Sequence, residues 1–319
     1  MIKITDIAEK AGVSPATVSN VLNGRKNVSE ETKKRVLAIC HEYDYQPNII
    51  GKTLKSRKAK TILFNFSDFD RQFYLQIIHG ISDYVYTKDY DFLICTSKNC
   101  DKYMTKAVTS GCIILDVNAS DEVIIKKAKN DYPIVVLDRM LEGDNIKSIL
   151  VNNYQPQKEL VEELIKKGCR RFAYLAGLDS LDNMERYKAL QDALKDNGLS
   201  MRREDYYVGD YRKKSGYQAA KLLMLTERLP DVLICANDDM AIGAMKAFAE
   251  NGVRIPEDIS VTGFDGSDMA KAMGLTTIQV PNYERGYIAA QYLIESIEGN
   301  VNNEPFKISA KIKWRKTTV

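Results

Sequence analysis

Histidine is almost absent from this 319-residue chain: there are two, His41 and His79, beside a single tryptophan. A Ser-His-Asp triad or a two-histidine metal site is therefore poorly supplied, and neither a metal ion nor a cofactor is expected. His79 follows Ile77-Ile78 and reads as a helix-surface residue. No G-x-G-x-x-G follows the first strand-like run, no G-x-x-x-x-G-K-S/T occurs, and no G-x-S-x-G marks a nucleophile elbow. The dinucleotide-binding and nucleotidase readings lose their main support, and no enzymatic activity is expected. No apolar run approaches the roughly 20 residues that span a bilayer, and the N-terminus lacks the basic-then-apolar pattern of a signal peptide. A cytoplasmic protein without a membrane partner is expected. The six cysteines (Cys40, Cys95, Cys100, Cys112, Cys169 and Cys235) form no C-x-x-C and sit mostly in apolar runs, so they read as reduced thiols.

With 45% hydrophobic and 28% charged residues the chain is globular, and its length fits two or three domains. The net charge of +3 hides an asymmetry. Residues 1–60 carry twelve Lys/Arg against six Asp/Glu, whereas the remainder carries 34 against 37. A positive field at one end suits a polyanion-binding head on a nearly neutral body.

The head centres on Val13-Ser14-Pro15-Ala16-Thr17-Val18-Ser19-Asn20-Val21-Leu22-Asn23. Ser14 is placed to cap a helix, and Pro15 falls at the first helical position, where its missing N–H is harmless. Val18, Val21 and Leu22 recur at i, i+3 and i+4 and face a core. Pro15, Ala16, Thr17, Ser19, Asn20 and Asn23 point outward. That face is small, polar and uncharged, which suggests close contact with another surface. Upstream, Thr5 is placed to cap a first helix with an Ile7, Ala8, Ala11 stripe, ended by Gly12. Downstream, Ser29-Glu30-Glu31 opens a third helix with Val36, Leu37, Cys40 and Tyr43 as its apolar positions. A helical bundle that docks another protein is the alternative reading of this head.

From Lys60 onward, short apolar runs alternate with helix-length segments: residues 61–66, 91–95, 112–115 and 134–137, then 172–176, 232–236 and 259–264. This pattern argues for two parallel α/β lobes with both sheet faces covered. Ligands bind at strand carboxyl ends in such sheets, and Asp138, Asn237 and Asp265 each follow such a run. With Arg186 and Tyr211 from adjoining segments they form a donor and acceptor set suited to hydroxyls, plus an aromatic face. Each residue taken singly also reads as a strand-end cap or a surface ion pair.

Residues 4–14, 16–24, 28–32 and 45–48 resemble the helix-turn-helix of the lactose-repressor/galactose-repressor family of bacterial transcription regulators. In the body, 167–175, 236–243 and 255–265 resemble that family's regulatory core, which is similar to periplasmic sugar-binding proteins. The resemblance implies a three-helix DNA-binding head at 1–46 and a hinge at 47–60. It also implies a first lobe from 61–151 with 281–308, and a second from 152–280 with 309–319. DNA contacts would come from Thr5, Ser14, Pro15, Ala16, Thr17, Ser19, Asn20, Asn23, Asn48, Leu54 and Lys55. Positions matching Pro15, Ala16 and Asn20 discriminate operators in the family. Ala16 offers at most a thymine-methyl contact, while Asn20 has the chemistry to bond adenine bidentately. The apolar Leu54, amid Lys52, Lys55 and Arg57, suits a minor-groove wedge on a hinge that becomes helical on DNA. A solvated tether with one exposed leucine is the alternative.

Effector contacts, by the same resemblance, fall on Asp138, Arg186, Tyr211, Asn237 and Asp265, with Phe73 and Asp70 as weaker matches. Arg71 departs from the family pattern and is suited either to an anionic sugar or to pairing with Asp70. Val280 stands where many relatives have Gln, and the stretch between Cys95 and Cys112 is shortened. The reading is a repressor that binds a near-palindromic operator as a homodimer and sits at the nucleoid when bound. A small carbohydrate-like effector acts in the cleft between its lobes. A tail-linked tetramer is not expected, because the sequence ends at Val319 without a leucine heptad. The rival reading is a sugar-binding or sugar-processing α/β protein whose head is a docking module.

Overall fold

The computed structural model describes residues 2–319 apart from 23, 26, 46–58, 68, 70–72, 97–98 and 117. The chain parts into two compact units, Met1–Ala59 and Lys60–Val319. No helix among the described residues is long and apolar enough to cross a membrane.

In the first unit, α1 (Ile4–Ala11), α2 (Pro15–Leu22) and α3 (Glu30–Glu42) enclose one small core of Ile7, Ala8, Ala11, Val18, Val21, Val36 and Cys40. Gly12 closes α1 with φ 63°, a left-handed position that glycine adopts without Cβ strain. Ser14 Oγ accepts the Thr17 backbone N–H at 3.1 Å, so α2 starts at Pro15 as its chemistry requires. Ser29 Oγ accepts from the Thr32 N–H at 3.3 Å and caps α3.

Two expectations are corrected here. The cap of α1 is Lys3, not Thr5: the Lys3 N–H donates to Asp6 Oδ2 at 2.9 Å, because a carboxylate in the third helical position reaches back over the first turn. Thr5 lies inside the helix, exposed, with its hydroxyl donating to Asp6 Oδ1. On α3, Leu37 and Tyr43 are exposed. The inward stripe runs Val36, Ile39, Cys40, the i, i+3, i+4 spacing that starts at Val36.

The second unit holds two six-stranded sheets. The first contains β1 (Thr61–Asn65), β2 (Asp91–Cys95), β3 (Gly111–Ile114), β4 (Ile134–Leu137), β5 (Ile146–Asn152) and β11 (Phe306–Ser309), in the order β11-β5-β4-β3-β1-β2. The second contains β6 (Phe172–Ala176), β7 (Tyr206–Val208), β8 (Val232–Cys235), β9 (Ser260–Asp265), β10 (Thr276–Gln279) and β12 (Lys311–Lys313), in the order β12-β10-β9-β8-β6-β7. All pairings are parallel except β10 with β12. Strands β1, β3, β4, β6 and β8 are almost wholly buried, as their unbroken apolar runs require. The chain crosses between the sheets after β5, after β10 and between β11 and β12. Four of these strands carry weaker signals. Lys147 and Ser148 interrupt β5, β10 is Thr-Thr-Ile-Gln, and β11 and β12 are short and half exposed. Between β2 and β3 the described residues form a short 3-10 turn, Cys100–Lys102, and no α-helix. All six cysteines are free thiols, and His79 is exposed on its helix.

Helices that matter for the site are α4 (Phe73–Thr87), α5 (Asp121–Lys129), α6 (Tyr154–Lys166), α7 (Leu181–Asp196), α8 (Lys213–Leu223), α9 (Asp238–Glu250), α10 (Asp268–Ala272) and α11 (Asn282–Ile297). Two helix pairs cross at backbone contact through reciprocal glycines. A Cβ on Gly80 of α4 would meet Tyr283 O at 2.0 Å, and one on Gly286 of α11 would meet Ile77 O at 2.1 Å. In the second lobe, a Cβ on Gly216 of α8 would meet Met240 O at 2.0 Å and one on Gly243 of α9 would meet Lys213 O at 1.9 Å. Each lobe thus draws two helices together to a separation that no side chain permits.

Asp238, the first residue of α9, is buried; its Oδ1 accepts from Thr277 Oγ1 at 2.5 Å and its Oδ2 from the Ser267 N–H at 2.6 Å. Burial pushes its carboxyl from 3.8 up to about 6, against those hydrogen bonds. Folding therefore takes up a proton at this group between those two values. Its contribution to stability rises as pH falls through that window and is lost as pH rises through about 6. Comparing urea unfolding of the wild type and Asp238→Asn across this range should show the stability of the wild type relative to the variant growing as pH falls from about 6 toward 3.8. Gly80→Ala and Gly286→Ala should each lower stability by about 2–4 kcal/mol in the same assay, since backbone and not a flexible side chain must yield.

Candidate functional site

The outward face of α2 is neutral. Pro15 and Ala16 are exposed, and Thr17, Ser19 and Asn20 are half-buried. Ser14 is also exposed, but its hydroxyl is committed to the cap and lies 2.9 Å from Thr17 Oγ1. Six of the expected DNA-contact residues thus share α2 and its cap, with Thr5 on the first turn of α1. Asn23, Asn48, Leu54 and Lys55 lie outside the described residues, as does Asp70 from the expected effector set.

In the second unit a cavity of about 170 Å³ opens between the two sheets, at the carboxyl ends of their strands. Phe73, Asp138, Arg186, Tyr211, Asn237 and Asp265 all line it. Asp138 follows β4 and Asp265 ends β9, both with positive φ (57° and 112°), and Tyr211 after β7 sits at φ 66°. Non-glycine residues held there are strained, and the strain turns three strand-end side chains toward one space.

Hydrogen bonding divides these residues by role. Asn237 caps α9 by accepting the Met240 N–H at 3.0 Å, and its Nδ2 donates to Tyr211 O at 3.0 Å. Its amide is thus committed to holding the Tyr211 loop. The Tyr211 ring covers Gly177, where a Cβ would meet it at 2.0 Å, and its hydroxyl lies 3.2 Å from Ser180 Oγ. Arg186 is buried against the Phe264 ring, 3.6 Å from its centroid. Its Nε and Nη2 donate to Asn153 Oδ1 at 3.1 and 3.0 Å, and its Nη1 donates to Ala236 O at 2.6 Å. Asn153 lies one residue past β5, on a crossing between the lobes, and also donates to Glu185 Oε2. Arg186 therefore ties the cavity floor to a crossing segment.

The residues left out of the sequence-based set are the charged partners. Arg285, on α11, is buried with its Nη2 2.5 Å from Asp138 Oδ2. Asp182, one turn before Arg186 on α7, lies 3.8 Å from Arg186 Nη2. Its carboxyl rises from 3.8 to about 6, chiefly through burial and then through the Asp138 charge, with Arg186 and Arg285 opposing. Asp116, Arg139 and Asn282 line the cavity too. Asp182 had a local signal, since it precedes Arg186 by one helical turn. Arg285 had none: it enters the first lobe's site from a segment almost 150 residues beyond Asp138. Val280 is buried and lines the wall as an apolar residue.

Residues 3–48 match the family described as bacterial regulatory proteins, lacI family, and residues 161–318 match the periplasmic binding protein-like domain. The "Probable HTH-type transcriptional repressor ExuR" of Bacillus subtilis is 31% identical over 93% of this chain and 92% of its own. The structure of a lac repressor dimer bound to operator and an anti-inducer superposes with a TM-score of 0.81 at 26% identity, over 100% of this chain and 99% of that one. A sugar-binding transcriptional regulator of the LacI family from Enterococcus faecalis covers 82% of this chain and 98% of its own, with a TM-score of 0.74 and 27% identity. With a helix-turn-helix head that presents an uncharged face and a two-sheet body with a ligand-sized cavity, the chain belongs to the lacI family of bacterial regulatory proteins and is a DNA-binding transcriptional regulator.

Proposed function

We propose that this regulator is a cytoplasmic, non-enzymatic repressor that binds a near-palindromic operator as a homodimer and responds to a small polyhydroxylated effector in the inter-lobe cavity. One observation carries the effector reading. The cavity is lined from both sheets and from the segments that cross between them, Val151 on β5, Val280 after β10, and Asn282 and Arg285 on α11. A ligand bound there touches both lobes and their connections, so it has differential contacts with closed and open arrangements, the only means by which binding shifts an equilibrium. Supporting the carbohydrate class are the convergent carboxylates, amides and guanidinia beside the Tyr211 and Phe73 rings, and the sugar-binding function named for the Enterococcus faecalis relative. The proposed division is a head at 1–46, a hinge at 47–60, and two lobes at 61–151 with 281–308 and at 152–280 with 309–319. The compact units that part between Ala59 and Lys60 support the boundary between the hinge and the body.

On DNA, Asn20 is the proposed base reader. Pro15 and Ala16 offer no side-chain hydrogen bond, whereas an amide pairs bidentately with adenine in the major groove. Leu54 is the proposed minor-groove wedge.

Selection of operators from random duplexes, followed by titration with and without sugars, tests the function. A specific, salt-sensitive complex whose affinity changes with a ligand is expected, and failure of any duplex to outcompete random DNA would sink the proposal. Asn20→Ala should cost about 1–3 kcal/mol on the preferred operator and relax one A·T position per half-site, while uniform weakening on all sequences would remove Asn20 as the reader. Asp138→Ala should abolish the thermal shift that an effective ligand produces on the wild type.

A further inference from the structure

Three of the six cysteines meet in the core of the first lobe. Cys95 ends β2, Cys100 opens the 3-10 turn Cys100–Lys102, and Cys112 lies within β3. All three pack in one apolar cluster with Leu63, Leu93 and Ile114. The strand register shows that the turn is what joins them. Cys112 pairs with Leu63 of β1, which pairs in turn with Leu93, two residues before Cys95, so β1 runs between the two strand cysteines. Two strand spacings of about 4.8 Å each put their backbones beyond the ~7 Å that a disulfide spans. Cys100 sits over this gap, and its thiol contacts those of both Cys95 and Cys112. The turn is held in place: Lys127 Nζ on α5 donates to Asp101 O at 2.6 Å and to Met104 O at 3.2 Å, and Thr109 Oγ1 donates to Tyr103 O at 2.6 Å.

The two neighbours of Cys100 differ in chemistry. Cys112 is fully buried, and its Sγ donates to Ile113 O at 3.5 Å. Burial, and then the Cys100 thiol, push it well above the usual thiol range, so it stays protonated. Cys95 is half-buried at the end of β2, the edge strand of its sheet, and is the thiol that solutes meet. Cys100 is 4% exposed. The hydrogen bond from Cys112 holds its thiol below the usual range, with burial opposing and Cys95 assisting. An accessible thiol thus stands against one that ionises more easily than a free cysteine, and the third thiol serves as a donor to that anion. Cys40, Cys169 and Cys235 lie in the head and the second lobe.

We propose that Cys95 and Cys100 form a reversible disulfide on exposure to a peroxide, while Cys112 stays reduced. The Cys95 sulfur attacks the peroxide: an S–O bond forms, the O–O bond breaks, and the departing hydroxide takes up the proton that Cys95 loses, giving water. The Cys100 thiolate then attacks the sulfenic sulfur of Cys95. An S–S bond forms, the S–O bond breaks, and the leaving hydroxide combines with the proton from Cys100 as a second water. The thiol pair loses two electrons and one peroxide gains them. A dithiol reverses the link by exchange. In the cytoplasm proposed above, such a pair senses oxidant and is no permanent staple. Ile114 of the same cluster lines the inter-lobe cavity, so the link forms in the layer that backs one of its walls.

Peptide mapping of the full-length protein, treated with hydrogen peroxide and digested with trypsin without reductant, tests the pairing. Trypsin cuts after Lys88, Lys98 and Lys102, so mass spectrometry should find segment 89–98 joined to segment 99–102. Titratable thiols in denaturant should fall from six to four, two lost per disulfide, and return to six with dithiothreitol. Cys95→Ser and Cys100→Ser should each keep their remaining thiols at the same dose. Cys112→Ala should still form the link, severalfold more slowly, because Cys100 has lost its donor. The map of the wild type decides without any variant. Survival of all six thiols, a link through any other cysteine, or overoxidation of Cys95 without a link would overturn the proposal.

Discussion

The approach of α4 and α11 through Gly80 and Gly286 is the contact on which the site depends. Helix α11 follows β10 of the second sheet yet packs on the first lobe, and it does so with backbone against backbone. A helix held that closely has little freedom to slide, because close-packed backbone does not deform by small steps. Arg285 and Asn282 lie on its first turn and enter the cavity beside Asp138 because of where that crossing sits. The second lobe repeats the device with Gly216 and Gly243, which fixes α9 and the Asn237 cap at its start. The two lobes thus use the same constraint to place their own walls of one cavity.

Within that frame, backbone strain and hydrogen bonding separate the residues that aim from those that are free to bind. Asp138, Tyr211 and Asp265 occupy positive φ, a conformation that costs energy and survives where surrounding structure over-determines it. Asn237 and Arg186 look like ligand contacts by type, but most of their bonding capacity holds the Tyr211 loop and the Asn153 crossing. Their contribution to binding is to keep the cavity's shape and to tie it to the connections between lobes.

Much of the head was legible residue by residue. Ser14 and Pro15 mark the start of α2, Gly12 the end of α1, and Ser29 the start of α3, because caps act within four residues and leave a local signature. The errors there were also local in kind. Thr5 and Lys3 compete for one capping position, and the Asp6 carboxylate decides between them by reaching back to Lys3. Strands β1 to β4, β6, β8 and β9 were visible as apolar runs. Strands β5, β7, β10, β11 and β12 were not, since β7 is a half-exposed run of three residues and lysine, serine and threonine on the other crossing or edge strands break the pattern that burial on both faces produces.

By itself the sequence determined the uncharged recognition face, the basic head on a nearly neutral body, the parallel α/β class, and the strand-end positions of Asp138, Asn237 and Asp265. All of these follow from propensity, periodicity and charge over short spans. Only the tertiary structure decided that Arg285 pairs with Asp138 and that Asn237 and Arg186 are engaged with the scaffold. These are contacts between segments from 26 to almost 150 residues apart, brought together by crossings between two sheets and by helices that touch through glycine. No local pattern records such distances, and the net charge of a cavity exists only after the chain has enclosed it.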